Sequence, residues 1–379
     1  MSSERASPIE SLASSRGAQI SQVGGVRTAY SYGNLACEIS AVLKEAGLFD
    51  LWVRPVLSVI GEDSASFLQG QLSQDVQSMS EDTWRLSFRL FPNGKIESFL
   101  RVIRGLGDDG SMFLLDTDPG FGGALRDSLC RYLIRVRVRL EEPKSIGFLR
   151  VAGPEASRVL QSVGIAVPSR TDEVLSQQVA GIGASLKVLE ALYPGAGLTS
   201  LQEGIRAYDI LVGEDEAGRV WKALSEKGAT PCGWIALEAF RIAAAFPSLG
   251  TELDEKTIVQ ETGLEKIAVA FQKGCYLGQE LVARIDSRGH VNRYLRRLRA
   301  KEQSSSPSRD VLSSTPPPGS RILFEGRQVG TVTSSVAAPF IGTVALAYVR
   351  REVSEGNSVI VDWKDGQIEA LVESRPELT

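Results

Sequence analysis

The sequence predicts an α+β protein: two ferredoxin-like sandwich units followed by a small C-terminal β-barrel. The first third of the chain orders its elements as strand, helix, strands, helix and strand, which is typical of a ferredoxin-like sandwich. A later segment repeats the opening of that order, and the C-terminal segment holds short alternating runs punctuated by glycines. At 379 residues the chain is also too long for one hydrophobic core.

Composition narrows the class of protein. Hydrophobic residues make up 43% of the chain and charged residues 23%, as in soluble globular proteins. The formal net charge of −4 gives no general signal for nucleic-acid binding. No apolar run is long enough to span a bilayer, so we expect no membrane partner.

Cysteine and histidine usage disfavours several kinds of site. Cys37, Cys130, Cys232 and Cys275 lack Cys-x-x-Cys spacing, so neither a zinc site nor a disulfide framework is predicted. A reducing compartment fits this usage best: we expect the cytoplasm, with the mitochondrial matrix as the alternative. His290 is the one histidine, which disfavours a Ser-His-Asp triad and a histidine-ligated metal.

The first 22 residues are rich in serine and alanine. They hold Glu4 and Glu10 and lack an apolar core, so they resemble neither a secretory signal nor a transit peptide. We predict that residues 1–22 form a disordered tail.

The first α+β unit is predicted over residues 23–145. The apolar run 56–60 reads as a strand, and Asp63 can cap the helix after it. Two further strands are joined by Pro92-Asn93-Gly94, a hairpin turn. For the residues before 56, packing with the second unit is the alternative.

The second unit is predicted over residues 146–300. Val59-Ile60-Gly61 followed by Phe67-Leu68-Gln69 is echoed by Val151-Ala152-Gly153 followed by Val159-Leu160-Gln161, at one constant offset. Two like units side by side offer a crevice between them. A serine- and proline-rich linker over 301–319 and a β-barrel over 320–379 complete the chain.

The segment Lys273–Glu280, with the sequence KGCYLGQE, ends the second unit and is the densest cluster of chemically capable side chains. Gly274 and Gly278 permit unusual backbone conformations. The residues after Gly278 can start a helix, so Cys275 would precede a helix N-terminus and lie two residues from Lys273. Both features favour a thiolate. The alternative is that Cys275 is a small buried hydrophobe.

Each side chain of this octapeptide receives an expected role. Lys273 lowers the pKa of the thiol, and Cys275 is the nucleophile or a metal-adjacent ligand. Tyr276 supplies an aromatic wall, while Gln279 and Glu280 fix the turn or contact a ligand.

A basic stretch follows the octapeptide from Arg284 to Lys301. This stretch can attract a polyanion or RNA. The alternative is that its arginines lie on the solvent side of a strand.

The octapeptide, together with Ala283-Arg284 and Gly289–Arg293, resembles the folate-binding YgfZ family. That family belongs to the superfamily of the glycine cleavage T-protein, an aminomethyltransferase, and the resemblance covers nearly everything from Leu48 to Val372. It implies three domains around a central channel that holds tetrahydrofolate. It also implies a role in maturation or repair of iron-sulfur clusters in client enzymes, including tRNA-modifying enzymes.

Two departures from the superfamily bear on the chemistry. The aspartate pair of the T-protein hairpin is replaced by Ser98 and Phe99, so proton transfer at a folate nitrogen would need Glu97 or another group. The glutamate that contacts the pteridine ring is replaced by Ala243, which predicts weak folate affinity.

Three residues complete the expected folate contacts. Asn93 and Glu97 lie in or beside the hairpin turn. Arg241 is a candidate partner for an anionic part of the ligand, with a structural salt bridge as the alternative.

The favoured function is therefore a tetrahydrofolate-binding accessory protein for iron-sulfur enzymes that uses a reactive cysteine. The alternatives are a folate-dependent aminomethyl or methyl transferase and a module that binds RNA or a partner protein. One thiol cannot hold a cluster alone, so the purified protein should be colourless.

Overall fold

The computed structural model describes residues 5–105, 112–191, 205–301 and 315–374. Most of the predicted linker, residues 302–314, lies outside the described residues. The strands form two large sheets, a closed barrel and a small N-terminal sheet.

The strands of the N-terminal half are β1 Arg5–Ala6, β2 Gln19–Val23, β3 Val26–Ser31, β4 Gly47–Asp50, β5 Val56–Ile60, β6 Thr83–Leu90, β7 Ile96–Arg104, β8 Met112–Thr117, β9 Arg139–Glu141 and β10 Ile146–Gly153. Those of the C-terminal half are β11 Val174–Val179, β12 Ala184–Glu190, β13 Arg206–Gly213, β14 Thr230–Cys232, β15 Arg293–Ala300, β16 Arg321–Phe324, β17 Arg327–Ala338, β18 Gly342–Arg350, β19 Ser358–Trp363 and β20 Gly366–Glu373. The helices are α1 Glu10–Ser15, α2 Leu35–Lys44, α3 Ser64–Gln71, α4 Gly122–Cys130, α5 Ala156–Ser162, α6 Glu214–Glu226, α7 Trp234–Ala243, α8 Val259–Thr262, α9 Glu265–Ala268 and α10 Gln279–Arg288.

The first sheet has the order β6-β7-β8-β5-β9. Helices α3 and α4 cover one face of it, where Phe67 and Leu125 pack against the strand residues Leu100 and Leu115. The other face meets the second sheet. The ferredoxin-like sandwich predicted for this unit is confirmed.

The second sheet has the order β11-β12-β13-β10-β4-β14. Its helices α5 and α6 pack on one face through Val159 and Trp221. Strand β4, from before residue 56, pairs with β10 and β14, so the alternative packing of these early residues is the observed one. Apart from that inserted strand, the two sheets share one strand order.

The internal repeat extends to backbone detail. Gly61 directly follows β5 and Gly153 ends the matching strand β10, with φ of +136° and +142°. A Cβ would lie 2.0 Å from the carbonyl oxygen of Arg137 in the first case and 2.3 Å from that of Glu45 in the second. Only glycine fits either turn.

The prediction of a disordered tail over residues 1–22 is wrong for the described part. Residues from Arg5 onward form β1, α1 and β2. Ile9 and Ala13 are fully buried, and Ile9 joins the core beneath the second sheet. The segment is ordered because these apolar side chains, four residues apart on one helical face, have a core to enter.

The barrel closes in the order β15-β18-β17-β16-β19-β20. Strand β15 lies before the linker, so the barrel draws on residues that the prediction assigned to the second unit. A strand this distant in sequence reaches its place through pairing with β18 and β20.

Candidate functional site

The octapeptide Lys273–Glu280 covers the end of the connection between α9 and α10 and the first two residues of α10. Helix α10 begins at Gln279, as the sequence predicts. Gly278 precedes it with φ of +78°, in the left-handed region.

Close contacts fix this loop against the hairpin turn of the first unit. A Cβ on Gly278 would lie 2.4 Å from the carbonyl oxygen of Phe91, and a Cβ on Gly94 would lie 2.4 Å from the Cβ of Leu281. Gly274 has open space around it, so the steric need for glycine holds at position 278 and not at 274. The octapeptide thus packs on the first unit, although sequence order placed it in the second.

Lys273 ties the loop to the end of α3 and to the segment that follows it. Its Nζ donates hydrogen bonds of 2.7, 2.7 and 2.8 Å to the carbonyl oxygens of Gln69, Leu72 and Gln74. Burial lowers its pKa to about 8, and the ring of Tyr276 lies 5.1 Å from the Nζ. An ammonium group has three hydrogens, and these three bonds use all of them. Lys273 therefore anchors the loop, and its influence on the thiol stays a prediction.

Cys275 is exposed, so the alternative of a small buried hydrophobe is wrong. Its neighbours hold the backbone: the Leu277 N–H donates to the Gly70 carbonyl at 3.0 Å, and the Tyr276 N–H donates to Gln279 Oε1 at 3.2 Å. The thiol is therefore presented to solvent from a loop with fixed ends.

The remaining octapeptide side chains divide between structure and surface. Gln279 fixes the turn through that bond to Tyr276, one of its two expected roles. Tyr276 is half-buried, and burial raises its pKa to about 12. Glu280 is exposed in the first turn of α10, where the helix dipole favours a carboxylate.

The space between the two large sheets contains a charge ladder, the name we give to six side chains that alternate in sign. The Arg101 guanidinium donates to Asp116 on its own sheet at 2.7 Å and to Asp209 on the opposite sheet at 2.8 Å. The ladder members, in spatial order, are Arg150, Asp209, Arg101, Asp116, Arg54 and Asp118.

The charges of the ladder balance one another. Burial alone would raise the pKa of Asp209, but the guanidinium groups of Arg150 and Arg101 outweigh it and lower the pKa to about 2. Both side chains that flank Asp209 are almost fully buried. The ladder joins the two sheets and carries no net charge.

A small cavity beside the ladder encloses about 40 Å³. The rings of Phe99 and Phe246, 5.9 Å apart, fill the adjoining space, and the buried indole N–H of Trp84 lacks a partner among the described residues. The volume suits a few water molecules, whereas small-molecule sites usually enclose about 300–1,000 Å³. As these side chains stand, they leave no room for a pteridine ring.

The predicted folate contacts do not converge on this cavity. Glu97 turns to the helix side of the first sheet, where it accepts a hydrogen bond of 2.5 Å from Ser128 and pairs with Arg89 at 3.1 Å. It lies there because β7 bulges at this position, which reverses its side chain. Asn93 is exposed and its Oδ1 accepts from the Lys95 N–H, an interaction that closes the turn.

Arg241 forms the structural salt bridge that the sequence left as the alternative. It is buried, and it pairs with Glu238 at 3.0 Å and with Glu252 at 2.9 Å. Glu252 also accepts hydrogen bonds from Thr333 and Ser334 of β17. This network attaches α7 to the barrel. The charge of Arg241 is balanced by these two carboxylates and is used for structure.

The basic stretch is largely paired with carboxylates. Arg293 forms an ion pair with Glu261, and Lys301 forms one with Glu369. Arg297 and Arg299 both pair with Glu373. Strand β15 carries Arg293, Arg297 and Arg299. The alternative of arginines on the solvent side of a strand describes the partly exposed Arg293 and Arg299, whereas Arg297 is buried. Binding of a polyanion at this stretch remains a prediction.

Sequence reasoning missed the charge ladder. The feature of the sequence that could have indicated it is a single charged residue between apolar neighbours in a strand, as in Leu149-Arg150-Val151 and Tyr208-Asp209-Ile210. Such residues are rarely buried unless they are paired.

Two further observations concern the described ranges as a whole. No group of three or more His, Cys, Asp or Glu side chains there is placed to hold a metal ion. Every helix in those ranges is too short or too polar to cross a membrane.

Comparison with known proteins agrees with this architecture. A family model described as the GCVT N-terminal domain matches residues 9–273, and one described as the glycine cleavage T-protein C-terminal barrel domain matches residues 310–377. The crystal structure of glycine cleavage system aminomethyltransferase T from Bartonella henselae superimposes with a TM-score of 0.83 at 21% identity, over 99% of this chain and 98% of that one. That likeness confirms the fold.

Curated relatives point in two directions. The aminomethyltransferase of Rippkaea orientalis is 23% identical over 99% of this chain and 98% of its own length. The tRNA-modifying protein YgfZ of Colwellia psychrerythraea is 29% identical over 72% of this chain and 77% of its own length. The resemblance to YgfZ and to T-proteins is confirmed, and the chain belongs to the GCVT family.

Proposed function

We propose that this protein is an accessory factor for enzymes that carry iron-sulfur clusters, and that it acts through the thiol of Cys275. The observation that carries the proposal is the presentation of this thiol. It is exposed on a loop whose two sides are fixed by Lys273 and Gly278. Lys273 donates three hydrogen bonds to carbonyl oxygens, and a close contact permits only glycine at position 278. Together they hold the backbone on both sides of Cys275.

The chemistry fits a shared cluster. Thiolates are the usual ligands of iron-sulfur centres, which take several of them. Cys275 supplies one, so the other ligands would come from the client enzyme that receives or regains the cluster. A reducing compartment, the cytoplasm or the mitochondrial matrix, keeps such a thiol available.

One relative and the altered residues support this choice, and the altered residues favour it over group transfer. The YgfZ relative is named a tRNA-modifying protein. The positions of the T-protein aspartates hold Ser98 and Phe99, and Phe99 packs its ring in the core. The proposed role of the thiol does not depend on a bound folate. Binding of tetrahydrofolate remains an expectation, and calorimetric titration tests it.

Complementation tests the role of the thiol. In a strain that lacks the gene, Cys275→Ser should fail to restore the activity of an iron-sulfur enzyme that depends on it. Cys130→Ser is the matched control, since Cys130 is also exposed, and it should restore activity fully. Full restoration by Cys275→Ser, with equal protein levels, would reject the proposal.

Aminomethyl transfer is the second candidate, because the relatives that cover the whole chain are named aminomethyltransferases. The purified protein would be given a methylamine donor and tetrahydrofolate. Formation of methylenetetrahydrofolate at a catalytic rate would favour this function over the first.

A further inference from the structure

A cleft opens at the rim of the contact between the two large sheets, and we call it the inter-sheet cleft. It encloses about 500 Å³, within the usual range of small-molecule sites, about 300–1,000 Å³. Its apolar wall has four side chains: Met112 and Leu114 from β8, and Ile146 and Leu211 from β10 and β13. The wall therefore comes from both sheets.

The opposite wall of the inter-sheet cleft is polar and carries one cation, Lys187. Its Nζ donates to Ser176 Oγ at 2.7 Å. Among the described residues, no carboxylate lies at ion-pair distance from it, and Ser176 is its one hydrogen-bond acceptor. Burial lowers the pKa of Lys187, which the more distant charge of Asp82 opposes.

Lys187 differs in this respect from the arginines deeper between the sheets. Arg101 and Arg150 each have a carboxylate within 3 Å, and the ladder balances its charges. Lys187 lies on β12 and pairs with Leu211 of β13. Leu211 is two residues from Asp209 and therefore lies on the same face of the sheet. A partly desolvated cation with no carboxylate at ion-pair distance attracts an anion more strongly than a hydrated one does.

We propose that the inter-sheet cleft binds an elongated anion, with its apolar body on the wall formed by Met112, Leu114, Ile146 and Leu211 and its carboxylate or phosphate group on Lys187. Ser176 and the neighbouring Gln178 and Ser185 can donate further hydrogen bonds to the head group. The site is separate from Cys275, and it stands whether or not the proposed function holds.

The methionines give a direct readout of occupancy. The chain has three, Met1, Met79 and Met112. Met112 lines the cleft, while Met79 is buried in the core of the first unit. With [13C-methyl]methionine, octanoate should shift the Met112 signal saturably and leave that of Met79 in place. Met112→Leu assigns the signal.

Related probes separate the two parts of the ligand. Octanol has the tail without the charge and acetate has the charge without the tail, so both should bind more weakly than octanoate. Octyl phosphate beside octanoate shows which head group the site prefers. No saturable shift with either anion, or an equal shift of Met79, would overturn the proposal.

Two variants test the cation. Lys187→Met should weaken octanoate binding by at least about tenfold, as the loss of a hydrogen bond to a charged group predicts. Lys222→Met is the control, because it removes the same charge from an exposed position on α6. Equal affinity of Lys187→Met and wild type would reject the role of Lys187.

Discussion

The charge ladder and the octapeptide loop both lie where the chain brings distant segments together, but they use polar groups in opposite ways. The ladder places three arginines and three aspartates between the sheets and pairs all of them. The loop uses its lysine on backbone carbonyls and leaves its thiol in solvent. The polar groups between the sheets are thus used for structure, whereas the loop at the surface leaves a thiol exposed to solvent.

The largest expected effect on stability comes from the ladder. Asp209→Asn leaves two buried guanidinium groups without their shared carboxylate, which should cost about 3–5 kcal/mol of unfolding free energy. Urea denaturation measures this, with the exposed Asp172→Asn as the control. A loss below about 1 kcal/mol, typical of a surface pair, would contradict the structural assignment of the ladder.

The same aspartate predicts a pH dependence. Its pKa in the folded protein, about 2, lies below the ordinary value of about 3.9. The folded state therefore binds this proton less readily, so the stabilisation is fully present above about pH 4 and is lost as the pH falls toward 2. The difference between wild type and Asp209→Asn should shrink over that window, and a difference that stays constant would contradict it.

The next effect concerns the anchor of the loop. Lys273→Met removes three hydrogen bonds from a charged donor and leaves their carbonyl oxygens without it, which should cost about 1.5–3 kcal/mol. Lys364→Met, at an exposed position of the barrel, should change stability little. If the anchor also orients the thiol, alkylation of Cys275 by iodoacetamide should change in Lys273→Met and remain unchanged in Asp209→Asn.

Gly278→Ala tests the close contact on the other side of the loop. A side chain there meets the Phe91 carbonyl and must adopt a positive φ, a strain of about 1–3 kcal/mol. Gly274→Ala is the matched control, because open space surrounds that position. Equal melting temperatures for the two variants would show that the loop backbone can move away from Phe91 without loss of stability.

The sequence predicted the parts of this architecture that depend on local pattern. Strand and helix order, the repeat through Gly61 and Gly153, and the start of α10 after Gly278 all follow from residue spacing and backbone preference. The insertion of β4 into the second sheet and of β15 into the barrel depends on pairing between distant segments, which residue spacing does not encode.

The site was predictable to a similar degree. The octapeptide was recognisable from its composition, and its thiol is exposed. The hydrogen-bond acceptors of Lys273, the Ser128 partner of Glu97 and the Glu252 partner of Arg241 were not predictable, because each lies on an element distant in sequence or in fold: the end of α3 and the segment after it, helix α4, and the segment after α7. A charged residue shows its role only when the groups around it are known.

The smallest expected effect on stability comes from the residue on which the function is proposed to depend. Cys275 is exposed, and surface substitutions usually change stability by less than about 0.5 kcal/mol, so Cys275→Ser should unfold with wild type in urea. In a labelling competition, Cys275 of the wild type should react with iodoacetamide faster than Cys37 and Cys130, the other exposed cysteines. Equal rates would remove the kinetic distinction of the loop thiol, and a large loss of stability would instead make Cys275 a structural residue. If Cys275→Ser is as stable as wild type but fails to support client enzymes, then function depends on the loop, whereas stability depends on the ladder.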